Sequence, residues 1–159
     1  MRIGLKEAQT LCLLYMSALK KLPDHDNTFW GDVRCMLSAV ILAPNPISLP
    51  IIAALTGLTH RRCGSYLTVV GSLIPIPKMK NIHQTIQPFH KSTTTFFTDP
   101  SLCTDKRFCI SPPTYWHGEL LIGCLKLMND KLKEGMHEPM AISQSWKIWY
   151  LYIYPYGKS

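Results

Sequence analysis

From Met36 to Leu58 the chain carries no charge, yet no single element can run through that stretch. Pro44, Pro46 and Pro50 interrupt its middle, and Gly57 stands near its end. A proline removes a backbone donor and pushes the residue before it out of the helical region. The stretch therefore predicts two buried helical pieces, each too short to cross a bilayer, which needs about 20 continuous apolar residues.

The flanking residues place those pieces. Upstream, Asp26, Asn27 or Thr28 caps a helix whose inward face is Phe29, Val33, Met36, Leu37 and Val40, and Pro44 ends it. Ser48 caps the next helix, with Pro50 in its first turn and Ile51, Ile52 and Leu55 inward. Gly57 suits the left-handed position after its last turn. Thr59 then caps a helix opened by Arg61 and Arg62, striped by Cys63, Leu67 and Val70 and closed by Gly71. SLIPIP and TIQPFH follow as an extended pair joined by the polar loop KMKNIHQ, with SLIPIP confined to an edge by its prolines.

Outside this centre, Lys6 to Leu22 predicts an amphipathic helix with Leu11, Leu14, Ala18 and Leu22 on one face. KSTTTFFTD predicts a short helix and DPSLCTDKRFCISPP a loop. A long helix follows Ser111 and Pro112 to about Leu132, with Leu120, Leu121, Cys124, Leu127 and Met128 inward. Helix, helix, helix, hairpin is the order of a winged helix. The expected fold is mainly α with a small β-hairpin: an N-terminal helix over 1–26, a winged-helix domain over 27–98, a loop and long helix over 99–135, and a divergent aromatic tail over 136–159. That tail carries Trp146, Trp149, Tyr150, Tyr152 and Tyr154, which favour self-association where they are exposed.

The composition fits a packed protein: of 159 residues, 47% are hydrophobic and 17% charged. The net charge of +7 is uneven. Arg34, Arg61, Arg62, Lys78, Lys80 and Lys91 lie between Asp32 and Asp99 with no acid among them, a field that attracts anions. Arg61 and Arg62 on the third helix of the winged-helix unit, with Lys78 and Lys80 in the wing, are the candidate nucleic-acid contacts. That helix lacks Asn or Gln on its exposed face for reading bases, so protein contact is the better reading of the basic surface. Six cysteines with no signal peptide predict free thiols in a reducing, cytoplasmic setting.

Catalytic patterns are missing. There is no nucleophile elbow, no C-x-x-C or H-x-x-x-H pair for a metal, and the terminal Gly157, Lys158 and Ser159 lack the rest of a phosphate loop. The sequence predicts no enzyme, no metal and no cofactor held by this chain alone.

Four segments carry a resemblance: LYMSALKKLPDHDNTFWGDVRCMLSAVILAPNPISLPIIAALTGL, VGSLIPIP, IQPFHKSTTTFFTDPSLC and RFCISPPTYWHGELLIGCLKLMNDKL. In that order they resemble the region after the NTPase domain in fungal NACHT proteins, relatives of animal and plant NLR receptors. The resemblance covers about Leu14 to Gly135. It implies a winged helix plus helical segment that couples a nucleotide switch, loaded with ADP or ATP, to downstream sensor or effector parts. It also implies a NACHT NTPase domain as partner, in cis or in trans. His90, after Phe89 and before a short helix, matches the family's histidine that contacts the ADP phosphate. The chain departs from the family in lacking the NTPase itself, so a truncated fragment is the expectation, with a pseudogene or mis-spliced product as the alternatives. It departs again at Thr93, Thr94 and Thr95, where relatives have a Phe and an Asp, and at Lys91, where plant relatives have an acid.

Overall fold

The structure, a computed structural model, describes residues 5–22, 24–74, 83–88 and 90–133. Six helices and two short strands make up these residues: α1 (Leu5–Lys20), α2 (Asn27–Leu42), β1 (Ile47–Ser48), α3 (Leu49–Thr56), α4 (His60–Val69), β2 (Thr85–Ile86), α5 (Lys91–Thr98) and α6 (Pro113–Lys133). Among the described residues the protein is mainly helical, with one small antiparallel sheet. No described helix is long and apolar enough to cross a membrane.

Local chemistry sets most boundaries. The Asp26 carboxylate accepts from the Phe29 N–H at 2.7 Å and starts α2. Ala43 turns extended before Pro44 and ends it. Thr59 Oγ1 accepts from the Arg62 N–H at 3.2 Å and starts α4. Gly57 closes α3 at φ 72°, a left-handed conformation that costs any other residue roughly 1 kcal/mol or more. Ser48 occupies the N-cap of α3 in extended conformation, but its side chain makes no cap bond. The helix leans instead on the preset φ of Pro50 and on burial of Leu49, Ile52, Ala53 and Leu55.

α3 is the hub: it packs against α2, α4 and α6. Its Ile52 and Leu55 are buried, each worth about 1.5–3 kcal/mol of transfer free energy. From α2 come Trp30, Val33, Met36, Leu37 and Val40; from α4 come Cys63, Tyr66 and Leu67. α5 adds Phe96 and Phe97, and the loop after it adds Phe108 and Ile110. The Ile110 N–H donates to the Phe97 carbonyl at 2.7 Å, which folds that loop back along α5.

Two helix faces need correction, and β2 has a partner the sequence did not suggest. β2 pairs antiparallel with Ile47–Ser48: Ile47 faces Ile86 and Ser48 faces Thr85. Within SLIPIP, Ser72 to Ile74 turn after α4, and the rest, like the loop with Lys78 and Lys80, lies outside the described residues. On α1, Ala18 and Leu22 pack against the core as expected, but Leu14 is 59% exposed, and Leu19, with Cys12, Tyr15 and Met16, completes the inward face in its place. On α6, Leu120 and Cys124 are buried while Leu121 is exposed, because α3 crosses the helix at Gly123 and covers the strip on that side only. Gly135 and the aromatic tail also lie outside the described residues.

Candidate functional site

The sheet, small as it is, makes a site. Pairing Ile47 with Ile86 draws the loop after α2 against the segment after β2. An open cleft of about 190 Å³ forms where they meet the start of α5. Val40, Ile41, Pro44, Pro46 and Ile86 give it an apolar floor and wall. Asn45, Gln87, His90, Lys91 and Thr94 supply the polar groups, and none of the lining residues is an acid.

His90 is the N-cap of α5. Its Nδ1 accepts from the Ser92 N–H at 3.1 Å and lies 2.8 Å from the Ser92 hydroxyl. A backbone N–H can only donate, so Nδ1 must present its lone pair. The neutral ring then carries its proton on Nε2. An exposed imidazole fixed in this way keeps one N–H donor for a group outside the helix. Lys91, the first residue of α5, adds the one formal charge among the lining residues. Helix N-termini favour anions through their free amides and dipole.

A second contact ties this corner to α1. The Tyr15 hydroxyl lies 3.1 Å from Ser92 Oγ and 3.2 Å from Thr93 Oγ1. Its ring packs on Phe96 at a centroid distance of 5.2 Å. Tyr15, Ser92 and His90 thus form a continuous run of hydrogen-bonding groups from α1 to the cleft. The pairing of Tyr15 with residues so far along the chain had no local signal in the sequence.

The two basic residues on α4 fare differently. Arg61 and Arg62 are both exposed on its first turn. Arg62 lies 3.6 Å from Asp32 Oδ2, which also accepts from the Tyr66 hydroxyl at 2.9 Å. Asp32 therefore offsets part of the positive field expected on this helix. The cleft and the α4 arginines are separate features: neither Arg61 nor Arg62 lines the cleft. Among the described residues no group of three or more His, Cys, Asp or Glu side chains could hold a metal ion.

Compared with known proteins, the chain matches no protein-family model, no curated protein and no solved structure.

Proposed function

We propose that this chain is a non-catalytic regulatory module of an NLR-like NACHT NTPase, and that its α2-to-β2 core is a winged helix. The order helix, strand, helix, helix, strand, with the first strand antiparallel to the second, supports the fold reading. The placement of His90 carries the functional one. It sits with Lys91 on a cleft free of acids, at a helix N-terminus, with its Nε2–H uncommitted by the cap.

The residues fit a phosphate. At about 190 Å³ the cleft is smaller than the roughly 300 Å³ at which small-molecule sites begin, so it suits an anionic end and not a whole nucleotide. The bound ADP would supply that anion, with the rest of the nucleotide held by the NTPase domain. The His90 Nε2–H would donate to a phosphate oxygen, and Lys91 would add charge. A hydrogen bond to a charged group is worth about 1.5–3 kcal/mol. That is enough to bias a two-state switch by about tenfold or more. Tyr115, Leu121, Ile122 and Leu125 on α6, exposed and apolar, supply a surface for the NTPase domain to cover.

The experiment joins this chain to a NACHT domain and measures ADP release. His90→Asn keeps an N-cap acceptor but loses the ring donor, so it separates the cap from the phosphate contact. Faster release from His90→Asn is the expected result. A rate equal to that of the unsubstituted fusion removes His90 from the switch.

A further inference from the structure

The segment between α5 and α6 turns twice, and each turn is opened by an aspartate. The Asp99 carboxylate accepts from the Ser101 N–H at 2.8 Å and from its hydroxyl at 2.6 Å. The Asp99 carbonyl takes the Cys103 N–H at 2.9 Å. Asp105 opens the second turn: its carboxylate holds Arg107 at 2.8 Å, and its carbonyl takes the Cys109 N–H at 3.1 Å. The same Asp105 carbonyl accepts from the Cys103 thiol at 3.8 Å.

Two cysteines therefore converge on one oxygen atom. The Cys103 thiol and the Cys109 backbone N–H thus meet at the Asp105 carbonyl, and both thiols are free. They differ in access. Cys103 is 1% exposed, while Cys109 is half-buried. Burial, and after it the charge of Cys109, pushes the Cys103 thiol up to about 12. At neutral pH Cys103 is a protonated thiol closed off from solvent, and Cys109 is the sulfur a reagent meets first.

We propose that Cys103 and Cys109 form a dithiol oxidation site that a small disulfide, such as glutathione disulfide, closes to an intramolecular bridge. The thiolate of Cys109 attacks one sulfur of the oxidant, whose S–S bond breaks. One equivalent of glutathione leaves as thiolate and takes up a proton, and Cys109 holds the other in a mixed disulfide. Cys109 then carries no charge to oppose ionisation of its neighbour. Cys103 loses its proton to solvent, attacks the Cys109 sulfur and displaces the second glutathione. Two protein thiols are oxidised to one disulfide, and one glutathione disulfide is reduced to two thiols. The bridge would staple the turn that carries Arg107 and Phe108 against Trp30.

The test is a time course. The folded chain is incubated with glutathione disulfide in buffer without denaturant, quenched by alkylation and mapped by mass spectrometry of its peptides. The expected result is a glutathione adduct first at Cys109, followed by a Cys103–Cys109 bridge and the loss of two alkylatable thiols. Cys103→Ser should stop at the Cys109 adduct. An adduct appearing first at Cys103 overturns the proposal. So does a bridge that forms first elsewhere, as between Cys35 and Cys63, or a folded protein that keeps both thiols while the urea-unfolded chain oxidises. These outcomes are read on the wild-type chain, so a variant that fails to fold does not decide the matter.

Discussion

Gly123, midway along α6, lies against the carbonyl of Leu55 near the end of α3. A side chain there would collide with that carbonyl oxygen and stand 3.0 Å from its carbon. The obstacle is backbone, which cannot turn aside as a flexible side chain can. Gly123→Ala should therefore cost about 3 kcal/mol, the upper part of the range for overpacking, read as a lower midpoint in urea. Gly118, one helical turn and a half earlier, has nothing within 4 Å of where its Cβ would stand. Gly118→Ala should be neutral or stabilise by up to about 1 kcal/mol. Equal midpoints for the two variants would mean that α6 can slide off α3 without cost.

The cap of α5 gives a second test. His90→Ala leaves the Ser92 N–H without its acceptor and should cost about 1 kcal/mol, while His90→Asn should cost little. In the wild-type protein, nitrogen chemical shifts of the His90 ring should report the tautomer protonated on Nε2. A ring protonated on Nδ1 would contradict the cap.

Asp32 joins α2 to α4 through two partners of unequal worth. The Tyr66 hydroxyl donates to it at 2.9 Å from a largely buried ring. Tyr66→Phe should cost about 1 kcal/mol. Arg62 pairs with it at 3.6 Å with its side chain 61% exposed, so Arg62→Ala should change stability by less than about 0.5 kcal/mol. A larger loss for Arg62→Ala than for Tyr66→Phe, in thermal melts at moderate salt, would reverse this order.

Two groups shape the acid side of the pH profile in separate steps. Burial works to raise the Asp105 carboxyl, but its hydrogen bonds and charge contact with Arg107 outweigh burial and hold it below 3.8. A depressed carboxyl stabilises fully above its unfolded pKa, and that contribution is lost as pH falls through the depressed value. Arg107→Ala should flatten the melting profile below about pH 4. His117 is pushed below 6.5 by burial. The unfolded chain then takes up a proton more readily, and stability should fall as pH drops from 6.5 towards the lowered value. His117→Gln should remove that step. A step that survives the substitution assigns it to another group.

The helix boundaries from the start of α2 to the start of α4 were legible because each is written in a few adjacent residues: Asp26, Pro44, Pro50, Gly57 and Thr59. The faces of α1 and α6 were not. On α6, Leu120, Leu121, Ile122 and Leu125 spread over more than half of the helix's circumference, and only the crossing at Gly123 decides which of them is covered. Trp30 lay outside the expected stripe of α2, yet it is buried because Phe108 and Arg107 return to it from a distant loop. β1 escaped notice because its Ser48 doubles as the N-cap of α3. The cleft escaped with it. His90 was singled out by resemblance alone, and Asn45 and Gln87 reach its neighbourhood only through the Ile47–Ile86 pairing.

The contact of Tyr15 with Ser92 gives α1 the leverage of a crank. Its exposed Leu13 and Leu14 offer a grip on the outer side, and Tyr15 bears on α5 at the turn where His90 is anchored. A pull that rolls α1 outward strains these two hydroxyl contacts together with the burial of Leu19. Force applied at the amino-terminal end would thus arrive at the His90 ring as a lost neighbour for Ser92.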